Sequence, residues 1–196
     1  MQNASKFATP AVLFASGAAM GALLVMAIAG GAGVEKALFS ITAPRHCVNQ
    51  SGVVALFSPG SEAKFVSFVD SARQTLDVEI YQFSYSGLKD ALARAAGRGV
   101  RVRIILEQRV DSNYETAKFL AGKGVQVKWA TKEYANTHSK FAVADGEKVL
   151  AGSVNWSRHA MFLNREAALA VEDAAVAAEF ARIFEMDWAE GTEYSQ

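Results

Sequence analysis

Hydrophobic and polar positions along residues 53–188 follow the periods of short strands and amphipathic helices. Apolar runs or alternations predict seven strands, at residues 53–57, 76–83, 100–106, 125–129, 138–144, 148–152 and 166–171. Recurrence every three or four positions predicts helices that start at Ser61, over residues 86–97, near 114–122 and over 173–188. Strands interleaved with helices favour an α/β fold, in which a mixed β-sheet is flanked by helices.

An uncharged segment precedes this pattern. Lys6 and Glu35 bracket a run of apolar and small residues, and about 20 apolar residues suffice to cross the core of a bilayer. A membrane anchor is therefore one interpretation. The small residues Ala27-Ile28-Ala29 resemble the cleavage site of a signal peptide, which is the second. A buried helix of the globular domain is the third, although a segment with five glycines and no polar face suits it poorly.

These alternatives lead to one expected domain organisation. We expect an N-terminal membrane anchor or signal segment at residues 1–36, hydrophobic and helical, then a linker at 37–50 and a single globular domain at 51–196. If the first segment is not cleaved, residues 7–34 would associate with a membrane. The globular domain would then be anchored at, or exported to, a bacterial envelope or periplasm.

Composition and charge exclude several classes of protein. A chain of 196 residues with 51% hydrophobic and 20% charged residues suits one well-buried domain, and its net charge is zero. The single cysteine, Cys47, excludes an intramolecular disulfide and a cysteine-based zinc site. Residues 45–144 nevertheless carry 14 basic and 9 acidic side chains. This excess is equally consistent with a phosphate-binding track and with ordinary solvated residues; the arginines concerned are Arg98, Arg101, Arg103 and Arg109.

Four polar residues are predicted to converge on a hairpin that turns at Asp145-Gly146. Side chains alternate along a strand, so His138 and Lys140 share one face, and Ser153 and Asn155 do the same if the strand continues through them. Folding the hairpin places residue 138 roughly opposite residue 153. An imidazole can attack phosphorus, and ammonium, hydroxyl and amide groups can hold the phosphate oxygens. This chemistry requires no metal and no cofactor.

The spacing of these residues resembles the HKD signature of the phospholipase D superfamily. His138-x-Lys140 is followed after four residues by Asp145 and, after six more, by Gly152-Ser153-x-Asn155, with Asn164-x-Glu166 downstream. The resemblance runs from Val53 to Gly191 and extends to the small bacterial Nuc-type endonucleases, which carry one motif per chain. It implies their α-β-α sandwich fold.

The resemblance also implies a role for each residue of the motif. His138 would be the nucleophile that forms a phosphohistidine. Lys140, Ser153 and Asn155 would bind the substrate phosphate, and Glu166 would orient the histidine. Asp145 belongs to the catalytic motif too, but its place in an Asp-Gly turn favours a structural role through local hydrogen bonds.

One histidine accounts for only half of the reaction, because the leaving alkoxide needs a proton that the attacking imidazole does not hold. The other histidines are His46 and His159, and His159 lacks a lysine two residues further on. Single-motif members of the family pair as homodimers, so the resemblance implies a shared active site with His138 from each subunit.

Phosphodiester chemistry leaves the substrate open. We expect a metal-independent endonuclease that hydrolyses DNA, and RNA as a further substrate. A phospholipase D or phosphatidyl transferase acting on membrane phospholipid is the alternative, favoured by the hydrophobic N-terminal segment. An inactive nucleic-acid-binding adaptor is the second alternative, and the intact set of motif residues disfavours it.

Overall fold

The computed structural model describes residues 52–195. The predicted segment boundaries at 1–36 and 37–50, and the hydrophobic helix expected there, lie outside the described residues. Eight strands form one sheet: β1 Val53–Ser58, β2 Thr75–Ile80, β3 Arg101–Leu106, β4 Gln126–Trp129, β5 Lys140–Ala144, β6 Lys148–Gly152, β7 Glu166–Glu172 and β8 Thr192–Glu193. Five helices connect them: α1 Glu62–Ser71, α2 Ser86–Gly97, α3 Ser112–Ala121, α4 Arg158–Phe162 and α5 Ala174–Glu190.

The sheet is mixed, which confirms the predicted fold class. Its strand order is β1-β7-β6-β5-β2-β3-β4-β8. The pairs β2–β3 and β3–β4 are parallel, as the intervening helices α2 and α3 require, and the remaining pairs are antiparallel.

Helices cover both faces of the sheet. Buried residues of α1, α2 and α3 pack with Leu76, Val78 and Ala142 in one core cluster. Buried residues of α5 pack with Phe141 and Val143 in a second cluster. Because successive side chains of a strand point to opposite faces, the two clusters lie on opposite sides of the sheet, which makes an α-β-α sandwich.

The hairpin register differs by one residue from the predicted register. Phe141 pairs with Ala151 and Ala144 with Lys148, so the connection contains three residues, of which Asp145 and Gly146 have positive φ. The prediction assumed a two-residue turn. The extra residue shifts the extrapolated partner of His138 from position 153 to position 154, and β5 begins at Lys140 rather than at 138.

Two further differences concern the ends of strands. β2 ends at Ile80 rather than at 83, because Phe83 leaves the strand to form a separate parallel bridge with Trp156. The short elements α4 and β8 carry too few residues to show a period and were not predicted.

Within residues 52–195, none of the helices combines the length and the apolar character needed to span a membrane.

Candidate active site

Five of the six predicted site residues assemble along one edge of the sheet, here called the site edge. It is formed by the last residues of β1, β2 and β6 and the first residues of β5 and β7, which run in the opposite direction. Ser58 pairs with Glu166, and Ile80 pairs with Lys140. Strand direction therefore brings together side chains that are more than 100 residues apart in the chain.

His138 and Lys140 form the centre of this edge. Lys140 Nζ lies 3.1 Å from His138 Nδ1 and donates a hydrogen bond of 2.7 Å to the His138 carbonyl. Burial lowers the pKa of the Lys140 ammonium, against the opposing effect of the Glu166 carboxylate. His138 itself is exposed, so its imidazole is accessible to a substrate while the lysine is held from behind.

Tyr81 supports both side chains and was not singled out from the sequence. Its ring centroid lies 4.3 Å from that of His138 and 5.0 Å from Lys140 Nζ. The Tyr81 N–H also donates to the Ser139 carbonyl at 2.9 Å. Tyr81 could have been found from its position directly after β2, but only once β2 was known to pair with β5.

Ser153 and Glu166 form a second group on the same edge. Ser153 Oγ donates to Glu166 Oε2 at 2.6 Å, and Asn164 Nδ2 donates to Glu166 Oε1 at 3.0 Å. These hydrogen bonds, aided by the charge of Lys140, hold the pKa of Glu166 below its usual range. Glu166 is therefore an anion at neutral pH.

Ser58 ties the second group to β1. Its hydroxyl accepts a hydrogen bond from the Glu166 N–H at 3.1 Å and donates one to the Asn164 carbonyl at 2.9 Å. Ser58 is completely buried. The sequence offered no signal for this serine, because it contacts the site only through the antiparallel pairing of β1 with β7.

Asn155 lies on the side of His138 and Lys140. Its Nδ2 donates to Gln82 Oε1 at 3.4 Å, and the next residue, Trp156, donates its backbone N–H to the Gln82 carbonyl at 3.0 Å. The Trp156 ring is 1% exposed and packs edge-on against Phe83, with centroids 5.1 Å apart. Asn155 is thus placed by a packed aromatic bridge rather than by continuation of β6.

Asp145 is not brought together with the other five predicted residues. It follows the far end of β5, roughly 16 Å from Lys140 at about 3.3 Å per residue. Its carboxylate accepts hydrogen bonds from the backbone N–H groups of Arg73, Gln74 and Thr75, at 2.8 to 3.2 Å. Burial raises the pKa of Asp145, but these bonds outweigh it and the net pKa is low. We propose that Asp145 fastens the hairpin to the start of β2.

The four arginines considered as a phosphate track do not form one surface. Arg103 is 5% exposed and binds two carboxylates on the α5 side of the sheet. Arg98, at the end of α2, binds the Asp70 carboxylate and carbonyl. Arg101 opens β3 at the edge opposite the site, and only Arg109 follows a strand at the site edge.

Histidines other than His138 are few in the described region. His159 lies exposed in α4, and His46 lies outside the described residues. Residues 52–195 contain no cluster of three or more histidine, cysteine or carboxylate side chains suited to a metal. Among the predicted site residues, His138 therefore supplies the one imidazole, beside Lys140, Ser153 and Asn155.

Comparison with known proteins agrees with the geometry. The family described as "Cardiolipin synthase, PLD-like domain" matches residues 65–188. The chain is 32% identical over 133 residues to the mitochondrial cardiolipin hydrolase of Chlamydomonas reinhardtii, covering 67% of this chain and 59% of that one. It is 30% identical over 137 residues to phospholipase D of Rickettsia bellii, covering 66% of each. The chain thus spans less than two thirds of these relatives.

Among solved structures, Nuc of Salmonella typhimurium, a phospholipase D family member, has the same fold. The TM-score is 0.70 at 24% identity, and the match covers 74% of this chain and 98% of Nuc. The family match covers the whole stretch that carries His138, Lys140, Ser153, Asn155 and Glu166. The chain therefore belongs to the phospholipase D superfamily.

Proposed function

We propose that the protein is an endonuclease that hydrolyses DNA through a phosphohistidine on His138. A ring nitrogen of His138 attacks phosphorus, a P–N bond forms and a P–O bond breaks, and the leaving alkoxide takes a proton from a second imidazolium. Water then attacks the phosphohistidine and gives its proton to that second imidazole. A new P–O bond forms, the P–N bond breaks, and the other end of the strand is released from His138. Both imidazoles return to their starting states.

The observation that carries this proposal is the convergence of His138, Lys140, Ser153 and Asn155 at one edge, with Glu166 behind Ser153. The buried lysine would offset charge on the nonbridging oxygens and the Asn155 amide would hold them, whereas the Ser153 hydroxyl would have to turn its proton from Glu166 towards the phosphate to bind it. Such preorganised donors stabilise a phosphoryl transition state because they need no reorganisation during the reaction.

The second imidazole would come from a second copy of the chain. Over β1 and β7, the sheet face that carries α5 elsewhere is open: Phe57 is 54% and Leu169 is 48% exposed there. On α5 itself, Val176 and Ile183 are 37% and 38% exposed. We propose a symmetric homodimer in which α5 of each subunit covers the open face of the other, so that the two copies of His138 meet.

DNA is favoured as substrate by the charges around the site edge. The segments that follow β3, β4 and β6 and precede β7 expose Lys132, Arg158, Arg165 and Arg109, of which Arg109 is paired with Glu107. Exposed cations in loops that surround a phosphate-binding site suit a polyanionic backbone that continues on both sides of the scissile bond. RNA presents the same phosphates and is the expected further substrate.

Phospholipid is the second candidate, for two reasons. Relatives at 30% to 32% identity are named as a cardiolipin hydrolase and a phospholipase D. In addition, Leu163 is 67% exposed at the end of α4, between the exposed Arg158 and Arg165. An apolar side chain flanked by cations suits an anionic lipid surface.

A substrate panel separates the two candidates. The full chain and its His138→Ala variant are incubated in excess EDTA with plasmid DNA, single-stranded DNA, RNA and vesicles containing cardiolipin. We expect nicking of DNA by the wild type and loss of at least about 1000-fold in the variant, because no other described group replaces the nucleophile. Cleavage of lipid alone would overturn the DNA proposal, and loss of all activity in EDTA would overturn the metal-independent mechanism.

A further inference from the structure

A buried carboxyl that the chemistry above does not use lies directly behind the site. Glu79, on β2, is 1% exposed. It pairs with Phe141 of β5 and Ile105 of β3, two residues of the core cluster beneath α5. Its side chain is therefore on the α5 side of the sheet, opposite to the face that contains Ile80 and Lys140.

The groups around Glu79 include other carboxyls but no paired cation. Asp187, on α5, and the Ser139 hydroxyl lie beside its carboxyl. Two residues earlier on β2, Asp77 forms an ion pair with Arg103, which also binds Glu185 of α5. Among the described residues, no lysine or arginine forms an ion pair with Glu79. Neither Glu79 oxygen makes a hydrogen bond of good geometry, although Ser139 and Asp187 are its neighbours.

A carboxyl in this environment holds a proton. The pKa of Glu79 is raised from 4.5 to about 8. Burial is the largest cause, the Ser139 hydroxyl opposes the rise, and the charge of Asp187 adds to it. A neutral carboxyl has both a donor and an acceptor. It can donate to the Asp187 carboxylate and accept from Ser139 at the same time.

Ser139 connects this carboxyl to the site. It stands between His138 and Lys140, and because side chains alternate, it points away from them towards α5, where it lines a cleft with Phe141 and Phe180. Its carbonyl accepts from Tyr81, the residue that packs against both His138 and Lys140. A group that held the Ser139 side chain would fix the backbone that aims the imidazole.

We propose that Glu79 is a positioning residue: its neutral carboxyl, shared with Asp187, holds the Ser139 hydroxyl and thereby fixes the His138-Ser139-Lys140 segment against Tyr81. This role rests on phosphodiester cleavage at His138 but not on which phosphodiester is cleaved. When Glu79 ionises, two adjacent carboxylates repel each other beneath the segment. Activity therefore declines as the pH rises through about 8.

The test compares Glu79→Gln, a neutral isostere, with Glu79→Leu, which keeps size but can neither donate nor accept a hydrogen bond. Rates are measured on bis(p-nitrophenyl) phosphate, whose leaving group needs no proton, from pH 5.5 to about 10. We expect Glu79→Leu to lose about 10-fold in kcat with little change in KM, since misplaced groups weaken orientation. Glu79→Gln should recover most of that loss and move the alkaline decline to higher pH. Asp187→Asn should move it to lower pH, because Glu79 then ionises more easily.

Glu190→Gln, an exposed change on α5, is the matched control and should leave the profile unchanged. An alkaline decline that stays in place in Glu79→Gln would overturn the proposal, and Lys140 would then be its cause. Wild-type activity that is absent at every pH, or that survives in His138→Ala, would instead contradict the phosphodiesterase assignment at His138.

A second readout does not depend on activity. The folded-state pKa of about 8 exceeds the ordinary value of 4.5, so the wild type releases a proton on unfolding between these values and loses stability as the pH rises across that window. Glu79→Gln has no such loss. Its stability relative to the wild type, measured by urea unfolding, should therefore increase from pH 4.5 to 8. A constant difference would overturn the proposal.

Discussion

The Ser153 hydroxyl donates a hydrogen bond of 2.6 Å to the Glu166 carboxylate, across two neighbouring antiparallel strands. The same carboxylate accepts from Asn164, and its pKa is held low by both bonds. A hydroxyl whose proton is committed to a carboxylate presents lone pairs and a fixed orientation to its other side. Ser153 and Glu166 therefore act as one unit, in which the Ser153 hydrogen bond is the largest of the effects that keep the pKa of Glu166 low.

Ser153→Ala should lower activity and shift its acidic limit. Removing the hydroxyl deletes the strongest hydrogen bond to Glu166, so the pKa of that carboxyl rises towards its ordinary value. If the ionised carboxylate is needed, the acidic decline moves to higher pH, and kcat falls by about 100-fold from loss of one preorganised group. The check is a pH–rate profile of wild type and variant. An unchanged acidic limit would show that Glu166 ionisation is not required.

Phe57→Glu should prevent dimerisation without unfolding the chain. Phe57 is 54% exposed on the open face over β1 and β7, so a charge there is solvated in the monomer and desolvated in the proposed dimer. Sedimentation should show a folded monomer, and an activity assay should show that this monomer cleaves no substrate. Tyr114→Glu places the same charge on a 49% exposed aromatic residue of α3 and serves as control. A monomeric and fully active Phe57→Glu would contradict the shared site.

Asp145→Ala should cost stability rather than catalysis. The carboxylate accepts hydrogen bonds from three backbone N–H groups. Asp145 also has a φ of +56°, which alanine rarely adopts. We expect about 2 kcal/mol of lost unfolding free energy, and less for Asp145→Asn, which tolerates positive φ. Because the folded-state pKa lies below the ordinary 3.8, the stabilisation is present above pH 3.8 and lost as the pH falls further. Urea unfolding at several pH values is the measurement, and a kcat loss in the folded Asn variant would contradict it.

Lys132→Gln and Arg165→Gln should each weaken DNA binding in a salt-dependent way. Both side chains are exposed on loops of the site edge. A residue that contacts a phosphate contributes about one unit to the slope of log affinity against log salt. Lys123→Gln, exposed beyond the end of α3 at the opposite edge, is the control and should leave the slope unchanged. The slope is measured by fluorescence anisotropy, from the affinity of labelled DNA for each variant at several salt concentrations, with every variant made in the inactive His138→Ala background. Equal slopes in all variants would remove the main support for a DNA substrate.

Local patterns were sufficient for most of the fold. The helix predicted at residues 86–97 has those bounds, and the strand predicted at 148–152 does too, because periodicity and glycine stops are local properties. The hairpin register was wrong by one residue, since an Asp-Gly pair marks a turn but does not state whether two or three residues lie in it. Arg103 looked like an exposed strand residue and is instead buried by contacts with Asp77 and with Glu185 of α5, which lies 82 residues further along the chain.

The sequence by itself determined the α/β class, the motif residues His138 and Lys140, and the groups expected beside them, because these follow from local periodicity and from spacing within a short stretch. Only the tertiary structure decided that Ser58 and Tyr81 support the site, that Asp145 lies at the far end of β5, and that Glu79 is buried behind Ser139. The physical reason is strand order: β5 lies between β6 and β2, and β7 between β6 and β1, so the neighbours of each site residue are set by pairings between distant segments that no local pattern encodes.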